Sequence, residues 1–190
     1  SSGSGPHVMR GSGWVRSPSN QWLIVYGEES WLCQTFPSGG LGPRYKLSFV
    51  DSTVTSTIAA FSPTQQSAAI ATSDKKIHLL DIQTRNETAT LEGASGVARC
   101  LAYLPTGDRL LSGGDDGVVH LWDVSTGKEV RHFSTGSKAV TSILVTPDSK
   151  QIITGGSDGV IRVWAMPRER LTTKTSALPT TTHLARADAR

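Results

Sequence analysis

Acid–base chemistry is the first thing this sequence has the residues for. The carboxylates Asp115 and Asp116 are adjacent, and His78, His120 and His132 all fall in the repeated part of the chain. Paired carboxylates can relay a proton, and histidine titrates nearest to neutrality. The carboxylates, however, belong to a series: Asp74, Asp116 and Asp158 stand 42 residues apart at each step. A carboxylate that returns at a fixed interval beside a glycine reads as turn architecture, accepting turn N–H groups. His78 and His120 share one register, which Arg162 occupies a repeat later. A position that takes either His or Arg is expected to be partly solvent-exposed. No histidine has ligand spacing to a cysteine or to another histidine, so no metal is expected. The glycine-rich runs "SGGLG" (38–42) and "SGGDDG" (112–117) open no helix and carry no Gly-Lys-Ser/Thr, so they are not phosphate cradles. There is no Gly-x-Ser-x-Gly nucleophile elbow. The expectation is a protein without catalytic residues or cofactor, and not an enzyme.

The elements that hold these residues share the same interval. Pro63, Pro105 and Pro147 keep it, as do Leu80, Trp122 and Trp164, and Phe49, Leu91 and Phe133. Within one unit the pattern predicts strands over 98–103, 109–112, 118–122 and 129–133, with turns between them. Asp116-Gly117 and Asp158-Gly159 suit two-residue hairpin turns, where glycine takes a positive φ. No segment shows a sustained helical period. Four short strands per 40–45 residues make a propeller blade, and blades must stack because each has two apolar faces.

The stretches "LLSGGDDGVVHLWD" (110–123) and "IITGGSDGVIRVWA" (152–165) closely resemble the repeat of the WD40 family. The resemblance implies an all-β, WD40-type β-propeller with three recognisable blades, in repeats of about 51–82, 88–124 and 130–166. A degenerate repeat covers 21–50: "LIVYGEESWLCQTF" (23–36) supplies a strand pair and "YKLSFV" (45–50) a fourth strand. In this family a Trp, a Ser or Thr, an Asp and a His form a hydrogen-bonded set. By position the second repeat supplies Trp122, Ser112 and Asp116, and the third supplies Trp164, Thr154 and Asp158. The first keeps Asp74, with Leu80 and Ile70 at the other places. The His position holds Ser52, Ala94 and Gly136, so the set is expected to be incomplete in every repeat. A family ring usually needs about seven blades, so this is an incomplete ring: a piece of a longer chain, a self-associating arc, or an arc completed by another chain.

Composition narrows the partners. Residues 167–190 carry five basic and two acidic residues, which equals the whole-chain charge of +3 and leaves 1–166 neutral. Direct nucleic-acid contact is therefore expected only through that basic, Thr-rich tail, which reads as disordered, with Leu171–Thr175 as a possible added strand. Residues 1–20 are rich in Ser and Gly and read as a flexible lead-in. Cys33 and Cys100 form no disulfide framework, which favours a reducing compartment, cytoplasm or nucleus. The apolar run 22–26 is too short to span a membrane. The resemblance implies a protein-binding scaffold or adaptor, or alternatively a structural component of an RNA-processing or ribosome-assembly particle. The loops before each first strand and between the second and third offer Ser95, Arg99, Asp115, Lys138 and Ser157 as candidate partner-binding residues.

Overall fold

The computed structural model describes residues 12–166 apart from 39, 49–52 and 65, and the strands in it follow the repeat interval. Four antiparallel sheets succeed one another along the chain. The first contains β1 (Gly13–Arg16), β2 (Trp22–Tyr26), β3 (Trp31–Thr35) and β4 (Leu41–Lys46). The second contains β5 (Ser56–Phe61), β6 (Ser67–Thr72), β7 (Ile77–Asp81) and β8 (Glu87–Leu91). The third contains β9 (Ala98–Tyr103), β10 (Arg109–Gly114), β11 (Val118–Asp123) and β12 (Glu129–Ser134). The fourth contains β13 (Val140–Val145), β14 (Gln151–Gly156) and β15 (Ile161–Ala165). Each sheet is a simple meander, and the first strands β1, β5, β9 and β13 pack side by side along the inside of the arc.

The sequence explains why the sheets stack. Successive strand residues face opposite sides, yet Leu79 and Leu80 are both fully buried, as are Leu110 and Leu111. Each middle sheet is therefore covered on both faces. Three apolar layers result. Ile24 and Leu32 meet Phe61, Ile70 and Leu80; Leu79 and Leu91 meet Leu110 and Trp122; Leu111, Val119 and Leu121 meet Ile152 and Trp164. The outer face of the fourth sheet lacks such a cover among the described residues. Ile161 and Val163 are 73% and 59% exposed, while their counterparts Val119 and Leu121 are 0% and 7% exposed.

Several sequence expectations change. Residues 12–20 are not a flexible lead-in: Trp14 and Val15 favour extended chain, and Val15 packs on the first apolar layer as part of β1. Residues 1–11 lie outside the described residues, as do Phe49, Ser52 and the tail 167–190 with Leu171–Thr175. The fourth strand of the first sheet is Leu41–Lys46, not 45–50, because Tyr45 pairs with Leu32 and turns its ring onto the same core. The sheets run 56–91, 98–134 and 140–165, so each takes in the strand that follows its expected repeat boundary. The hairpin at Asp116 is longer than two residues. Gly117 N–H donates to Gly114 O, and Gly117 itself sits at φ 69°, a three-residue turn closed by a left-handed glycine.

Candidate interaction surface

The polar set inside each blade positions the turns that reach the surface. In the third sheet the Trp122 indole is fully buried, and its Nε1–H donates to Ser112 Oγ at 2.8 Å. In the fourth, Trp164 Nε1–H donates to Thr154 Oγ1 at 2.9 Å. In the second, Leu80 and Ile70 fill these places with apolar side chains, and Asp74 accepts from Thr72 Oγ1 at 2.5 Å.

Asp116 is the hub of the third sheet. Its Oδ1 accepts the Val118 N–H at 3.0 Å, and its Oδ2 accepts the Gly96 N–H at 3.0 Å and faces His120 Nε2 at 3.2 Å. Burial works to raise the Asp116 carboxyl, but the bonds from Val118, His120 and Gly96 outweigh it and hold it below the usual carboxylate range. The second nitrogen of His120, Nδ1, faces Glu129 Oε1 at 2.9 Å, and the ring stacks on Trp122. The same pair recurs one blade earlier, with His78 Nδ1 and Glu87 Oε1 2.7 Å apart.

One expectation is overturned here. His78 and His120 are not on the solvent face; they are buried, because strand four covers them with a glutamate. The histidine position before the first strand holds Ala94 and Gly136 in the third and fourth repeats, and the aspartates take a third-strand partner: His120 with Asp116, and Arg162 with Asp158 at 2.6 and 3.2 Å. Sequence reasoning missed Glu87 and Glu129, although they too stand 42 residues apart.

This framework fixes one end of the arc. There the turns between second and third strands meet the segments that lead into the first strands. Ser73 Oγ accepts Thr55 N–H, and Ser157 Oγ accepts Ala139 N–H, each at 3.1 Å. Thr135 Oγ1 donates to Gly117 O at 2.9 Å. Ser95, Arg99, Asp115, Lys138 and Ser157 are all exposed at this end. Arg99 and Asp115 form a two-pronged pair, Nε to Oδ1 at 2.9 Å and a terminal nitrogen to Oδ2 at 2.8 Å. Arg99 holds the Asp115 carboxyl below its usual range. Lys138 has no carboxylate partner among the described residues.

The cysteines add no nucleophile to the surface. Burial pushes the Cys100 thiol up to about 12 and raises that of Cys33, against the lowering effect of Arg44. A thiol so held stays protonated and unreactive near neutrality. Among the described residues no group of three His, Cys, Asp or Glu side chains is placed to hold a metal ion. Among them, too, no helix is long and apolar enough to cross a membrane.

An arc of antiparallel sheets, three of four strands and one of three among the described residues, with a buried Trp–Ser bond and a partly buried Trp–Thr bond, has the architecture of a β-propeller. A family model described as the anaphase-promoting complex subunit 4 WD40 domain matches residues 59–148. The solved WD40 β-propeller domain of Doa1 superposes with a TM-score of 0.67 at 20% identity, over 82% of this chain and 51% of that one. The chain thus spans about half the length of that propeller. As many as 1427 solved chains match, so the structural likeness reports architecture and does not select a function. No curated protein matches the sequence. The repeat, the blades and the family match agree: the chain has the fold of a WD40 β-propeller, and residues 59–148 match a WD40 model.

Proposed function

We propose that this chain is a non-catalytic interaction platform, and that its partner is a protein bound at the end of the arc where Ser95, Arg99, Asp115, Lys138 and Ser157 gather. WD40 propellers generally act as protein-interaction scaffolds, and this reading applies that role to one surface of this chain. The observation that carries it is the rigidity of an exposed, mixed-charge rim. Asp116 ties Gly96 to the 115–117 turn, and Thr135 ties that turn to the segment that leads from β12 into the next blade. A surface already fixed by such bonds loses little conformational entropy on binding. Ser157 contributes mainly through its bond to Ala139, so Lys138, Arg99 and Asp115 are the residues that face a partner directly. Cytoplasm or nucleus remains the compartment this reading favours.

The test compares Lys138→Glu with the unaltered chain in quantitative co-purification, with Lys150→Glu at the opposite end as control. Lys138→Glu is expected to reduce a stoichiometric protein partner about tenfold, the factor given by ~1.4 kcal/mol, with no shift in denaturation midpoint. Equal recovery by both variants would place the partner elsewhere. Steeply salt-dependent recovery of RNA would instead favour the RNA-particle role.

A further inference from the structure

Between successive blades one contact recurs on the inner strands: an apolar first-strand side chain meets a small second-strand residue of the blade before. In the third sheet Leu101 packs on the layer that contains Ala71. In the fourth, Ile143 lies over Gly113, its Cδ1 2.9 Å from where an added Cβ would stand. Leu101 and Ile143 are 42 residues apart, and so are Ala71 and Gly113. The larger residue fills the room that the smaller one leaves, as close packing requires.

Both halves of a further contact are present, at opposite ends of the arc. The next small residue in the series is Gly155, which pairs with Ile161 on the outer face of the fourth sheet. The row Leu144, Ile153 and Val163 crosses the same face. Leu144, Ile161 and Val163 are each more than half exposed. At the other end, Arg16 stands opposite Leu23 as Tyr103 stands opposite Leu110, so Trp14 holds the place of Leu101. Val15 packs on the first apolar layer, so its neighbour Trp14 points to the outer face of the first sheet, where it is 66% exposed. We propose that a second copy of this chain covers both faces, with Trp14 of each arc seated over Gly155 and Val163 of the other, so that two arcs close one ring. Two observations select a second copy. The free faces are unlike each other and are the two sides of a contact the arc already makes, so joining them continues that interface. The chain also aligns with 51% of the Doa1 propeller, so two copies amount to one ring. Four sheets from each copy lie within the usual range of about four to eight blades. A twofold axis makes the contact twice and leaves no open end. The inference does not depend on what binds at the rim.

Sedimentation equilibrium of the full chain at micromolar concentration tests the ring. The unaltered chain is expected at twice its own mass. Trp14→Glu and Val163→Glu, at opposite ends of the arc, should each halve that mass while circular dichroism stays unchanged. Trp14→Ala and Ile161→Ala add no charge and should weaken the dimer in the same direction. Val130→Glu, exposed on β12 and away from both faces, should leave the dimer intact. A monomeric unaltered chain overturns the proposal, whether its faces stay open or another segment or another protein covers them. A dimer that survives Trp14→Glu would be joined fourth sheet to fourth sheet, and growth past two copies would mean an open string of arcs. Either result overturns the closed ring.

Discussion

Replacing Trp122 by alanine probes the most consequential buried contact in the arc. Trp122 is fully buried between the second and third sheets and is hydrogen-bonded to Ser112 at 2.8 Å. Burying a tryptophan removes roughly 150–250 Å² from water. At about 25 cal/mol per Å² that is worth about 4–6 kcal/mol, an upper bound because the unfolded chain is already partly compact. Aromatic-to-alanine changes in cores cost about 3–5 kcal/mol, and the lost hydrogen bond is worth about 1 kcal/mol. Trp122→Ala is therefore expected to destabilise by about 3–5 kcal/mol. Trp164 makes the same bond but faces solvent on one side, so Trp164→Ala should cost less. Trp122→Phe keeps most of the area and isolates the hydrogen bond, with an expected loss of about 1–2 kcal/mol. Urea denaturation followed by circular dichroism measures all three, provided the slope m is unchanged. Equal losses at 122 and 164, or an unmoved midpoint for Trp122→Ala, would refute the assignment of stability to this layer.

Three further outcomes are expected. Gly117→Ala should cost about 3 kcal/mol or more, because the added Cβ would stand 2.0 Å from Ser137 O at a residue with φ 69°. Gly159→Ala meets nothing within 4 Å and carries only the backbone term, about 1–2 kcal/mol, so urea midpoints should separate the two. His120→Ala removes the ring that bridges Asp116 and Glu129 and should cost about 2–3 kcal/mol; an effect like that of a surface substitution would refute its bridging role. Asp123 is held down to about 2 by Ser125 Oγ–H, then the Thr126 N–H, with Arg109 helping. Its contribution is complete above the ordinary value of 3.8 and drains as pH falls toward about 2. Asp123→Asn should therefore flatten the acid limb of a stability–pH curve in that window, and an unchanged limb would show that other carboxylates set it.

What the sequence made legible was whatever repeats strictly. The 42-residue interval located the turns at Asp116 and Asp158 and the tryptophans that close the third and fourth blades. It failed in the first blade for a physical reason. There the Trp position holds Cys33, opposite Leu23 as Trp122 is opposite Leu110, and the hairpin that joins the paired residues is two residues shorter. Without the aromatic marker, β1 read as linker and β4 was placed several residues late. The burial of His78 and His120 was hidden by a different limit. Strand alternation gives the side of a sheet, but not what covers it, and the cover came from Glu87 and Glu129 on the neighbouring strand. The rim residues were placed by loop position alone, and the bond from Ala139 to Ser157 shows how a periodic surface residue can be architectural.

The exchange of partners around Asp116 explains how this fold tolerates loss of a family histidine. A carboxylate seated in a turn is held by donors, and the geometry does not specify which residue brings them. In the third blade they are two backbone N–H groups and His120; in the fourth, Asp158 takes the Val160 N–H and the Arg162 guanidinium. His78 and His120 each face a glutamate nine residues on, Glu87 and Glu129, from the neighbouring strand. In the fourth blade the arginine places both its prongs on Asp158. What the third and fourth blades share is a carboxylate supplied with donors from its own turn and from the third strand, whichever residue brings them.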